Sequence, residues 1–127
     1  MAKVLIVDDD WDLVDAGRII LENAGYEVAC AHTRGEGMEA VKTFQPDLLI
    51  LDVMMAQVDD GIAMAQDLRR QGFRKPILMM TAIAKVSNLE FGKDSEMVPV
   101  DDFQEKPVEP AVLVDKVRTL LQAAEVR

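Results

Sequence analysis

Cysteine is almost missing from this sequence: Cys30 stands alone among 127 residues. A lone thiol closes no internal disulfide, so the fold has to rest on an apolar core, and a reducing, cytoplasmic setting is expected. Histidine is equally scarce. His32 has no second histidine or cysteine at ligand spacing, which argues against a nitrogen-and-sulfur metal site. Long hydrophobic runs are absent too, and none approaches the roughly 18–20 residues that cross a bilayer, so no membrane role is expected. The opening Met1-Ala2-Lys3-Val4 soon meets Asp8 and does not read as a secretory leader. Basic residues are outnumbered, 14 against 23 acidic, for a formal net charge of −9. Such a chain is repelled by nucleic acid and anionic lipid, which argues against direct DNA binding. Clustered acids do suit a divalent cation.

What is present is apolar side chain, half of the sequence, enough for one real core. The length fits a single domain over residues 1–127. Short apolar runs alternate with segments of helical period. Lys3 to Val7 reads as a strand apolar on both faces, Tyr26 to Ala31 as a second, Asp47 to Asp52 as a third, Pro76 to Thr81 as a fourth and Val100 to Glu105 as a fifth. Between them, Leu13, Gly17, Ile20 and Ala24 mark a helix closed by Gly25. Thr33 caps another through Phe44, with Met38 and Val41 inward. A third helix runs from about Gly61 to Arg70 behind a cap at Asp59 or Asp60. The last starts near Pro110, with Leu113, Val117, Leu120 and Ala124 on one stripe. From Ala82 to Leu89 the pattern allows a short helix. From Phe91 to Pro99 it has no period, and an irregular, mobile stretch is expected.

Strand and helix alternating five times predict an α/β fold, a flavodoxin-like doubly wound five-stranded parallel sheet with an atypical segment between strands four and five. In such sheets ligands bind outside the carboxyl ends of the strands. If the order is 2-1-3-4-5, those ends bring together Asp8-Asp9-Asp10, Asp52, Thr81 and Lys106. Carboxylates this close repel by about 4 kcal/mol per pair at an effective dielectric near 20, and a hard cation relieves them. Mg²⁺ takes one or two carboxylates together with phosphate oxygens. An aspartate beside it can act as nucleophile and form an aspartyl phosphate, with Mg²⁺, Lys106 and the Thr81 hydroxyl meeting the charge that spreads over the transferred group.

The pieces Ile6-Val7-Asp8-Asp9-Asp10, Leu51-Asp52-Val53-Met54-Met55, Met80-Thr81-Ala82 and Asp101-Asp102-Phe103-Gln104-Glu105-Lys106-Pro107, in this order, resemble the response-regulator receiver family of two-component systems over nearly the whole chain. The resemblance implies that Asp52 is the phosphoacceptor. It implies Mg²⁺ held by Asp9, by Asp8 largely through water, by Asp52 and by the Met54 backbone carbonyl. Thr81 and Lys106 would contact the phosphoryl oxygens, and Thr81 with Phe103 would form the switch. The implied partners are a sensor histidine kinase or phosphotransfer protein upstream and an effector protein or domain downstream. The implied module turns over no external substrate, apart from losing its own phosphoryl group. It is read as a stand-alone receiver or a piece of a longer protein. The acceptor loop departs from the family: Ala56 and Asp60 stand where a proline and a glycine are usual, and Gly61 comes one place late.

Other readings are plainer. Asp10 is expected to cap its helix, Trp11 to cover the pocket rim, Cys30 to pack as a small buried hydrophobe, and the paired methionines to fill core and loop. Phe103 could be an ordinary packing aromatic. A pseudo-receiver that binds partners without being phosphorylated is the alternative. The intact set of Asp8, Asp9, Asp52, Thr81 and Lys106 speaks against it.

Overall fold

A computed structural model of the chain describes residues 2–53, 55, 60–81, 100–106 and 108–125. Five parallel strands form one sheet in the order β2-β1-β3-β4-β5, from β1 (Lys3–Val7), β2 (Glu27–Ala31), β3 (Leu48–Asp52), β4 (Ile77–Thr81) and β5 (Asp102–Glu105). This is the expected topology. β3 and β4 are buried at every residue, as strands covered on both faces must be. The edge strands β2 and β5 are only partly covered, and Glu27 and Glu105 are exposed there.

Strand side chains alternate between faces, and the sequence parity separates two cores. Val4, Ile6, Leu48, Ile50, Leu78 and Met80 pack with Val14 and Leu21 of α1 (Trp11–Asn23) and with Leu113 and Val117 of α4 (Pro110–Glu125). Leu5, Val7, Leu49, Leu51, Ile77 and Met79 face α2 (Arg34–Phe44) and α3 (Asp60–Arg70), where Met64, Ala65 and Leu68 are buried. Cys30 is half-buried against the first cluster rather than fully enclosed, and burial raises its thiol pKa.

The helices end where local chemistry stops them. Asp10 accepts the Leu13 N–H at 3.1 Å and Thr33 that of Glu36 at 3.0 Å, the expected caps. Gly25 and Gly72 sit at φ 99° and 98°, the left-handed turn that glycine takes without strain. α1 differs in phase from its expected stripe. Val14 and Leu21 are fully buried, Leu13, Gly17 and Ile20 only half, and Ala24 is an exposed cap. The apolar face is broad, and its centre turns toward the sheet because Gly17 lets the helix approach Ile6, whose Cδ1 would lie 3.2 Å from an added Cβ. In α3, Asp60 is the first helical residue and not a cap, and Asp59 lies outside the described residues. So do the expected short helix from Ala82 to Leu89 and the stretch from Phe91 to Pro99.

Arg69 anchors the edge strand. Its guanidinium donates to the carbonyls of Phe73 at 2.9 Å and Lys75 at 2.8 Å, and to Asp101 Oδ2 at 2.9 Å. The same carboxylate oxygen accepts the Ile77 N–H at 2.8 Å, so one group pins the start of β4 and the approach to β5. Asp101→Ala removes a partly buried acceptor from two donors. It should cost about 2–4 kcal/mol in urea unfolding. A loss below about 1 kcal/mol would show the anchor to be energetically idle.

Candidate functional site

In a parallel sheet every strand runs the same way, so all carboxyl ends share one edge. Val7 pairs with Leu51, Asp52 with Met80 and Thr81 with Glu105. Bonds just past the ladder carry the alignment on: Asp8 N–H donates to Ala31 at 3.1 Å, Val53 N–H to Met80 at 3.0 Å and Lys106 N–H to Thr81 at 2.7 Å. Asp8 and Asp52 therefore stand level at this edge, with Thr81 one residue and Lys106 two residues further along it.

The side chains of Asp8, Asp52 and Lys106 meet. The Lys106 ammonium donates to Asp8 Oδ2 at 2.8 Å and to Asp52 Oδ1 at 2.9 Å. Carboxylate oxygens of Asp8, Asp9 and Asp52 lie within 4.8 Å of one another. Asp8 is 2% exposed and Asp52 5%, while Asp9 stands in solvent. The second oxygen of Asp8 accepts the Asp10 N–H at 3.0 Å. Beneath the pair lies a cavity of about 190 Å³ walled by Ile6, Leu13, Gly17, Ile50, Met80 and Leu113. Those walls give the carboxylates little solvation. Burial is accordingly the main influence on Asp52 and, with the negative Asp8 beside it, raises its pKa to about 6 against the pull of the Lys106 hydrogen bond. For Lys106, burial favours the neutral amine. Its bonds to Asp8 and Asp52 outweigh that and hold the ammonium above its ordinary range.

Three hard oxygen donors around one point fit Mg²⁺, which prefers carboxylates and retained water to nitrogen or sulfur. Thr81 is buried at the end of β4. Phe103 is half-buried on β5, packed on the α2/α3 core, and shares a sheet face with Thr81 through the Thr81–Glu105 pairing. Met54 lies outside the described residues.

Gly61 holds a place that the sequence did not reveal. A Cβ there would stand 1.9 Å from the Asp52 carbonyl oxygen, and its N–H donates to the Val53 carbonyl at 2.9 Å. The start of α3 thus lies directly on the Asp52 backbone, and only glycine fits. A glycine one place late in the loop was the one available sign. Nor was the stacking of Trp11 on His32 legible, with ring centroids 3.4 Å apart. Trp11 is 64% exposed, at the rim as expected.

A family model of the response regulator receiver domain matches residues 4–118. The chain belongs to the receiver family. Among its relatives, the alkaline phosphatase synthesis transcriptional regulatory protein PhoP of Bacillus subtilis is 36% identical over 128 residues, 98% of this chain and 50% of that protein. The dual master transcriptional regulator RpaA of Synechocystis is 36% identical over 127 residues, 98% of this chain and 51% of that one. The chain spans about half the length of the curated relatives it matches. Among solved structures, a CheY-like receiver domain protein from Methanospirillum hungatei superposes with a TM-score of 0.86 at 30% identity, covering 98% of this chain and 97% of that one. A receiver is a signalling domain of two-component systems and not a conventional enzyme. No described helix of this receiver is long and apolar enough to cross a membrane.

The raised Asp52 pKa sets a pH dependence in metal-free receiver. The folded state holds the Asp52 proton more tightly than the unfolded chain, whose ordinary value is 3.8. Its stabilising contribution is whole below about pH 4 and is lost as pH rises through about 6. An asparagine side chain in its place cannot ionise. From pH 4 to 7.5 in EDTA, the stability of Asp52→Asn should gain on the wild type by on the order of 1–3 kcal/mol. Parallel urea-unfolding curves for the two across that range would contradict this.

Proposed function

We propose that this chain is the phosphoacceptor of a two-component phosphorelay and that Asp52 receives the phosphoryl group. The observation that carries the reading is the buried Asp52 carboxylate at the end of β3, bonded to Lys106 and within reach of Asp8 and Asp9. Asp8, Asp9, Asp52 and the Met54 carbonyl would hold Mg²⁺, with Asp8 acting largely through water. When bound, Mg²⁺ would supply positive charge that screens the carboxylates and offsets the charge of the incoming group.

The protein's own part is chiefly positioning. A carboxylate oxygen of Asp52 attacks phosphorus as the bond to the donor imidazole breaks, and the electron pair leaves with the imidazole nitrogen. Lys106 is fixed on the Asp52 side and neutralises a phosphoryl oxygen, while the Thr81 hydroxyl donates to another. Later attack of water on phosphorus releases inorganic phosphate and restores Asp52. Thr81 moves toward the phosphoryl group and Phe103 follows, which changes the surface offered to an effector. The donor is a sensor histidine kinase or phosphotransfer protein, and the setting is the cytoplasm. The complete set of site residues favours this over a non-phosphorylated pseudo-receiver.

With a small phosphodonor and Mg²⁺, mass spectrometry should find one added phosphoryl group, labile to base as an acyl phosphate is. Asp52→Asn should take up none, and uptake by that variant would overturn the assignment.

Mg²⁺ at a hundred times its Kd should stabilise the wild type by about 2.7 kcal/mol. In Asp9→Ala most of that gain should vanish in the same thermal melts. A wild-type melting temperature indifferent to Mg²⁺ would count against the metal site.

A further inference from the structure

Asp9 differs from the other two carboxylates in what restrains it. Asp8 and Asp52 are buried and share Lys106. Asp9 is exposed, and its side chain makes no hydrogen bond or ion pair among the described residues. Its place at the site depends on the backbone that presents it. The Asp8 carbonyl belongs to the peptide unit that leads into Asp9, and that carbonyl lies 3.2 Å from His32 Nδ1. A carbonyl only accepts, so Nδ1 is the donor and fixes the orientation of the unit.

His32 is held in turn. Its own N–H donates to Glu36 Oε1 at 2.9 Å, tying it to the first turn of α2. Its ring lies against Trp11, the first residue of α1, with centroids 3.4 Å apart and planes 15° from parallel. The pairing of Val7 with Ala31 explains the meeting, because it sets the residues after β1 beside the residue after β2. Trp11 is 64% exposed, so this large ring is not placed to fill the core. Its built contact is the imidazole that holds the acidic loop.

We propose that the Trp11–His32 stack positions Asp9, holding the Asp8–Asp9 peptide so that the Asp9 carboxylate waits beside Asp8 and Asp52 before the cation arrives. This rests on the reading of those carboxylates as a Mg²⁺ site. Both residues act through the loop and neither touches the reacting atoms. Without the stack, Asp9 has to be ordered on binding, and affinity falls by that cost.

Calorimetric titration of the EDTA-treated protein with Mg²⁺ tests this. Trp11→Ala and His32→Ala should each raise the Mg²⁺ Kd roughly three- to tenfold, which is about 0.7–1.4 kcal/mol. Trp11→Phe keeps an aromatic face and should stay within twofold of the wild type. The metal-free melting temperature of Trp11→Ala should move by no more than about 3 °C, since an exposed ring supports little of the fold. The double variant should be no weaker than the weaker single, because Trp11 acts only through the His32 ring. Rates of phosphorylation by a small donor should shift in half-saturating Mg²⁺ while the rate at saturation falls less than twofold. Wild-type affinity in Trp11→Ala, or losses that simply add in the double variant, would overturn the proposal alone. A wild type that binds no Mg²⁺ would overturn it together with the reading of the metal site.

Discussion

An ammonium lodged between two buried carboxylates is the constraint on which the rest of this molecule depends. Asp8 and Asp52 are drawn together by the β1–β3 pairing, in surroundings that solvate charge poorly. Lys106 reaches both within 2.9 Å. Its strand lies at the edge of the sheet, has four residues and is only partly covered, so little apolar burial keeps it in place. Polar ties do this instead. Asp101 joins the approach to β5 to Arg69 and Ile77, and Lys116 of α4 bonds Asp102 at 3.0 Å and the Phe103 carbonyl at 3.1 Å. The counter-charge at the site is thus only as well placed as these surface-facing bonds allow.

The sheet's alternation divides labour in the receiver. Asp52 shares its parity with Ile50 and Met80 on the α1/α4 face, while Thr81 and Phe103 share theirs on the α2/α3 face. A single step along β4, from Met80 to Thr81, crosses from the cavity side to the side of Phe103. Any movement of the Thr81 backbone is felt on both faces, because its carbonyl also accepts the Lys106 N–H.

The frame of the fold could be read from residues alone because strands buried on both faces leave an unmistakable print: Val4 to Val7, Leu48 to Leu51 and Ile77 to Met80 are unbroken apolar runs, stopped by polar residues. Those stops, Asp8, Asp52 and Thr81, belong to the candidate site and were legible together with the strands, whereas Lys106 follows the mixed run of β5 and stood out only at its end. Contacts set by close approach were not. The phase of α1 turned on how near Gly17 lets the helix come to Ile6, and periodicity carries no such distance. Gly61 against the Asp52 carbonyl is the same case at shorter range. Trp11 and His32 meet only because two strands pair in one register, and neither residue's neighbours in sequence hint at the other.

The bond from Lys106 to Asp8 spans 98 positions of the chain. It closes one of the longest loops that the described fold contains, and contacts of such separation form late because their loop entropy comes due before any reward. During synthesis the first four strands emerge with Asp8, Asp9 and Asp52 already among them and no lysine yet made to face them. Until β5 leaves the ribosome and docks, the growing sheet has to carry its negative charges in water or on a borrowed cation. The lysine that answers these charges is thus among the last parts of the site to be made.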